Sequence, residues 1–130
     1  MNFNEISFRA RYSETDQMGV VYHGNYAQYL EMGRVEWLRE KGISYKNMEE
    51  QGVMLPVYNI NITFKKSAVF DDEIRVETIL RKIPTARIIF DYKIFNKQDD
   101  LLTIASTELV FINKKSNRPM RCPSYILDKL

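Results

Sequence analysis

The spacing of apolar residues changes twice along the chain, and the changes divide it into three parts. Between Glu5 and Tyr12, the residues Ile6, Phe8, Ala10 and Tyr12 alternate with Glu5, Ser7, Arg9 and Arg11, the two-residue period of a strand with one buried face. Residues 13–19 break the alternation with turn formers and predict a loop. From about Gly24 to Lys41 the period lengthens. Tyr26, Leu30, Gly33 and Trp37 recur at helical spacing, Ala27, Val35 and Leu38 widen the stripe, and Gly42 stands where a glycine ends a helix. Gly33 costs helix propensity within that stripe, which predicts close packing against a sheet. Ser44 is placed to cap a short second helix over 45–51, closed by Gly52.

The two-residue period then returns four times. Tyr58, Ile60, Ile62 and Phe64 form one set, Ile74, Val76 and Leu80 a second, Ile88, Phe90, Tyr92 and Ile94 a third, and residues 101–112 a fourth. The breaks at 70–73, 83–85 and 96–100 are short enough for hairpin turns, so these four strands are predicted to form an antiparallel meander. Residues 113–123 are polar, basic and proline-punctuated, and read as a surface loop before a final turn. A strand, a long helix and four long strands make an α+β domain whose sheet wraps around its helix. At 130 residues with no internal repeat, one domain over 1–130 is expected.

Composition narrows the function classes. With 45% hydrophobic and 28% charged residues, disordered and fibrous chains are excluded. The longest apolar runs are a few residues, against the roughly 20 that a membrane span needs, so no span is expected. The first residues show no targeting pattern and the single cysteine, Cys122, has no intramolecular disulfide partner, which together predict a cytoplasmic protein. Nineteen basic residues against seventeen acidic ones are too even a balance for nucleic acid as the main partner.

The densest reactive cluster runs from Tyr12 to Tyr26 and holds Asp16, Tyr22 and the only histidine, His23. If the helix begins near 23–25, its first amides lack intrahelical partners and the positive end of its dipole faces the loop. Such amides can polarise a carbonyl, and a nearby carboxylate can attack it or activate water. These parts suit acyl transfer. A metal site would need further ligands that His23 lacks nearby.

The run Arg11-Tyr12-x-x-Thr15-Asp16-x-x-Gly19-Val20-Val21-Tyr22-His23-Gly24-Asn25-Tyr26-x-x-Tyr29-x-Glu31-x-x-Arg34-x-Glu36 resembles the signature of hotdog-fold acyl-CoA thioesterases of the 4-hydroxybenzoyl-CoA thioesterase type, especially the YbgC-like branch. The resemblance implies a hotdog fold of five or six antiparallel strands around one central helix. It implies hydrolysis of an acyl-CoA by a homodimer or homotetramer with sites at the dimer interface, and neither metal nor organic cofactor. It makes Asp16 the catalytic nucleophile or general base and directs the His23 backbone amide at the thioester oxygen. Tyr12 matches a pocket-lining tyrosine, and Gly19 and Gly24 match small residues of the loop and helix start.

Glu31 has two readings, because a second branch of these enzymes carries its carboxylate on the helix; the bland one pairs it with Arg34 three residues on. Tyr22 is a candidate pocket wall, whereas Tyr26 and Tyr29 read as core. Coenzyme A phosphates call for basic groups. Lys65 and Lys66 come first, with Arg87 beside Arg81 and Lys82, and Lys114, Lys115, Arg118 and Arg121 form a third cluster suited to an acidic acyl carrier protein. Thioester hydration is disfavoured by the seven-residue spacing of Asp16 and His23. A non-enzymatic acyl-CoA or acyl-carrier-protein binding module is the remaining alternative.

Overall fold

The computed structural model describes residues 3–130. Strand β1 (Phe3–Arg9) leads into a loop with 3-10 turns over Tyr12–Glu14 and His23–Asn25, and the second turn runs directly into helix α1 (Tyr26–Glu40). After α1 come a short helix α2 (Tyr45–Glu50), a two-residue strand β2 (Val53–Met54), and the long strands β3 (Val57–Phe64), β4 (Glu73–Leu80), β5 (Arg87–Phe95) and β6 (Leu101–Val110). Two-residue strands β7 (Ile112–Asn113) and β8 (Arg118–Pro119) and a last turn of helix α3 (Ser124–Leu127) follow.

The five long strands form one antiparallel sheet in the order β1-β4-β5-β6-β3, and β2, β7 and β8 form a small second one. Helix α1 lies on the β1 and β4 side of the sheet. Leu30, Trp37, Val76, Phe90 and Ile94 are each at most 1% exposed and make the centre of the core, with the Trp37 ring edge-on to Phe90 at 5.3 Å. Gly33 permits the close approach expected of it. A Cβ there would lie 2.5 Å from the Thr78 hydroxyl oxygen and 3.1 Å from a Val76 methyl on β4. Gly42 ends the helix at φ +82, and the Ser44 hydroxyl accepts the Asn47 amide at 2.9 Å to cap α2.

The meander holds only for β4, β5 and β6. Strand β3 is not beside β4: it pairs with β6 at the far edge, because β1 occupies the other flank of β4 over a seven-pair register from Phe3 and Ile79 to Arg9 and Glu73. Residues 65–72 are therefore a crossover. Their main chain bonds to three separate places: Lys65 and Lys66 donate to the Leu102 carbonyl, Ala68 accepts from Val21, and Asp71 donates to Ala10. The first strand also stops short of the expected Tyr12. A 3-10 turn intervenes, closed by the Glu14 carboxylate accepting the Arg11 amide, and leaves Tyr12 77% exposed. The polar tail forms the β7 and β8 hairpin instead of an open loop, with Ile112 opposite Pro119.

Candidate active site

The loop between β1 and α1 closes on itself at Asp16. The Asp16 amide donates to the Val20 carbonyl at 2.9 Å, and the Gly19 amide donates back to the Asp16 carbonyl at 3.1 Å. Gly19 has φ +80, a conformation that costs glycine nothing. One carboxylate oxygen of Asp16, Oδ1, accepts the amides of Met18 at 2.8 Å and Val20 at 3.4 Å. An antiparallel bridge between Thr15 and Val21 turns the chain back toward the helix.

The helix starts within the span expected for it, with a 3-10 turn over His23–Asn25 leading into α1. The first hydrogen bond of the 3-10 turn runs from the Asn25 amide to the Tyr22 carbonyl at 2.9 Å, so the amides of His23 and Gly24 precede the bonded ladder. Tyr22 packs 4.4 Å from the His23 ring, and its own ring covers Gly24 so closely that a Cβ there would lie 2.5 Å from Tyr22 Cε2. Asp16 and His23 line one pocket of about 240 Å³ with Met18, Val20, Tyr26, Phe64, Lys65 and Lys66. The crossover after β3 delivers both lysines. Lys66 is held by Asp100 at 2.6 Å, whereas among the described residues Lys65 makes no ion pair. Also among the described residues, no three His, Cys, Asp or Glu side chains gather as metal ligands.

Asp16, His23, Lys65 and Lys66 thus converge. Tyr12 and Tyr22 do not line the pocket: Tyr12 meets Phe70 edge-on at 5.6 Å, and Tyr22 touches the pocket through the His23 ring. Glu31 lies in a separate groove of about 410 Å³ with Arg34, Tyr45, Leu55 and Val57, and pairs with the buried Arg34 at 3.8 Å. Arg87 pairs with Glu108 and stacks 4.2 Å over the Tyr58 ring, at the opposite end of β3 from Phe64. Tyr26 and Tyr29 are core, 2% and 1% exposed.

Glu14 is a part of the loop that the sequence pattern does not mark. It is buried at 7% exposure and bonded to Arg11 and Tyr29. Burial pushes its carboxyl up, but the Arg11 amide, the Tyr29 hydroxyl and the Arg11 guanidinium outweigh burial and hold it below the usual glutamate value. An irregular loop has no period, so nothing in the spacing marks an inward-facing carboxylate.

A sheet curled around one long helix, with an aspartate of the preceding loop and the histidine of the helix start lining one pocket, defines a hotdog domain. Residues 10–130 match the Thioesterase-like superfamily, and the chain belongs to it. It is 33% identical to YneP of Bacillus subtilis over 121 residues, covering 93% of this chain and 88% of YneP. It is 27% identical over 119 residues to the acyl-CoA thioester hydrolase YbgC of Escherichia coli O157:H7, covering 92% and 89%. The solved structure of DHNA-CoA thioesterase from Staphylococcus aureus superposes with a TM-score of 0.92 at 39% identity, covering 98% of this chain and 86% of that one.

Proposed function

We propose that this protein is an acyl-CoA thioesterase that adds water across the C–S bond of its substrate, releasing the free acid and the coenzyme A thiol. The observation that carries the reading is the shared pocket of the Asp16 carboxylate, the helix start at His23 and the Lys65 ammonium. The thioester oxygen sits against the amides of His23 and Gly24, which stabilise negative charge as the carbonyl becomes tetrahedral. Asp16 either attacks the carbonyl carbon, giving a mixed anhydride that water then cleaves, or takes a proton from the attacking water. Lys65 and Lys66 meet coenzyme A phosphates at the same pocket.

The site is completed by a second copy. Strand β3 is a free sheet edge, with Val57, Tyr58, Ile60 and Phe64 each more than 40% exposed. Antiparallel pairing of two β3 edges brings the Phe64 end of one copy beside the Tyr58 end of the other. That pairing carries Arg87 and the Glu31 groove of the second copy toward the first copy's Asp16 pocket, in a homodimer that can assemble further into a homotetramer. The exposed Lys114, Lys115 and Arg118 of the β7 and β8 hairpin favour an acyl carrier protein as a second acyl donor. A cytoplasmic setting suits the lone thiol of Cys122.

Thiol release from short, long and aromatic acyl-CoAs tests the reading. Asp16→Asn is expected to lower kcat about 100-fold or more, the range for losing a positioned base. Full turnover by Asp16→Asn refutes the assigned chemistry. Tight acyl-CoA binding without thiol release by the parent protein favours a binding module.

A further inference from the structure

Glu14 joins three parts of the site that are separate in the chain. Through its side chain it reaches the residue that opens its own turn, two past β1, and the interior of α1: Oε1 accepts the Arg11 amide and the Tyr29 hydroxyl, each at 2.8 Å, and Oε2 accepts the Arg11 guanidinium at 3.2 Å. Tyr29 is fixed in turn, 1% exposed and packed 4.7 Å from Phe8 and 5.4 Å from Tyr26. Through its backbone Glu14 reaches the helix start. Its carbonyl accepts the Tyr22 amide and the Asn25 side-chain amide, each at 2.8 Å. Tyr22 immediately precedes His23, and only Thr15, itself bridged to Val21, separates Glu14 from Asp16.

We infer that Glu14 is a positioning residue for thioester hydrolysis, and that its bond to Tyr29 fixes the spacing between the Asp16 carboxylate and the amides of His23 and Gly24. The inference rests on the roles given above to Asp16 and the helix start. Any movement of Glu14 reaches both reacting walls, because its side chain anchors the near side and its carbonyl holds the far one. Burying a carboxylate is a poor way to gain stability, since an apolar residue of similar volume does as well or better. What the carboxylate supplies is direction: ionised, it only accepts, and the Arg11 amide, the Arg11 guanidinium and the Tyr29 hydroxyl all donate to it. The bonds that hold it below the usual glutamate value keep it in that form.

Turnover and amide exchange test this together. Thiol release from acetyl-, decanoyl- and benzoyl-CoA is followed for the parent, Asp16→Asn, Tyr29→Phe, Glu14→Ala and Glu14→Gln, with folding checked by circular dichroism at the assay temperature. Tyr29→Phe and Glu14→Ala are expected to lose about 10- to 100-fold in kcat with KM within about threefold, the signature of reacting groups held slightly out of place. Glu14→Gln keeps an acceptor for Tyr29 and is expected to recover about tenfold over Glu14→Ala.

Exchange needs no substrate. In Tyr29→Phe the Met18 and Val20 amides, which Asp16 accepts, are expected to exchange about tenfold faster while those of β5 are unchanged. Parent-like kcat in Tyr29→Phe beside an inactive Asp16→Asn overturns the inference alone, as do unchanged Met18 and Val20 amides or faster exchange throughout the sheet. Full turnover by Asp16→Asn overturns the reading beneath it, and the exchange result then decides the loop geometry by itself.

Discussion

Replacing Gly33 with alanine sets two effects of opposite sign against each other. At an unconstrained helix position the change stabilises by about 1 kcal/mol through helix propensity. Here the added methyl would lie 2.5 Å from Thr78 Oγ1 and 3.1 Å from Val76 Cγ1. Carbon atoms at rest sit about 3.5–4.0 Å apart. Neither neighbour can turn aside: both are β-branched, stiff at χ1 and fully buried in β4. Helix and sheet must separate instead, and overpacking of that kind costs about 1–3 kcal/mol. The balance predicts a net loss of about 1 kcal/mol, or roughly 3–5 °C in Tm for a domain of this size. Urea and thermal unfolding of Gly33→Ala measure it. Thr78→Ala removes the nearer obstacle, so the double variant should be more stable than the sum of the single effects by about 1 kcal/mol. A Gly33→Ala protein as stable as the parent, or additive single effects, would refute the close approach of α1 to β4.

Three further outcomes are expected. Burial pushes the Cys122 thiol up to about 11; dithionitrobenzoate at pH 8 should therefore label native protein slowly and urea-unfolded protein at once, and rapid labelling of the native form would contradict the buried site. Glu14 sits below its unfolded value, so its contribution to stability is present above that value, about 4.3, and is lost as pH falls through the lower folded value. Urea midpoints between pH 6 and pH 3 should decline less for Glu14→Gln than for the parent, and parallel declines would show that the carboxylate is not held as described. Ile60→Lys places a charge on the exposed β3 edge and should shift sedimentation toward the monomer; an unchanged assembly would move the subunit contact elsewhere.

Features decided locally were legible in the sequence. The end of α1 at Gly42, the Ser44 cap and the tolerance of Gly33 for a close neighbour each depend on a few adjacent residues or on one helical stripe. The place of β3 was not legible. Alternation from Tyr58 to Phe64 marks two faces of a strand but does not name its neighbour, and the choice between β4 and β6 is made by β1 occupying one flank of β4. The site divides the same way. Asp16 and His23 share a pocket across the six loop residues between them, whereas Lys65 arrives through the crossover and Glu14 turns inward through a bond to Tyr29, neither of which leaves a periodic trace.

The strand order also carries a kinetic consequence. Neither outer strand has a chain neighbour beside it: Phe3 waits for Ile79, and Val57 waits for Leu109. Pairings so distant in sequence lose loop entropy before they gain contacts, which places the domain among slower folders than a helical bundle of equal size. Hairpins β4 to β5 and β5 to β6 can close first, and β3 finds its template only when β6 is in place. The crossover that brings Lys65 to Asp16 is thus set by one of the last pairings in the chain. During synthesis the Lys65 wall of the pocket would stay unfixed until β6 has emerged, since β3 has its sheet partner only there.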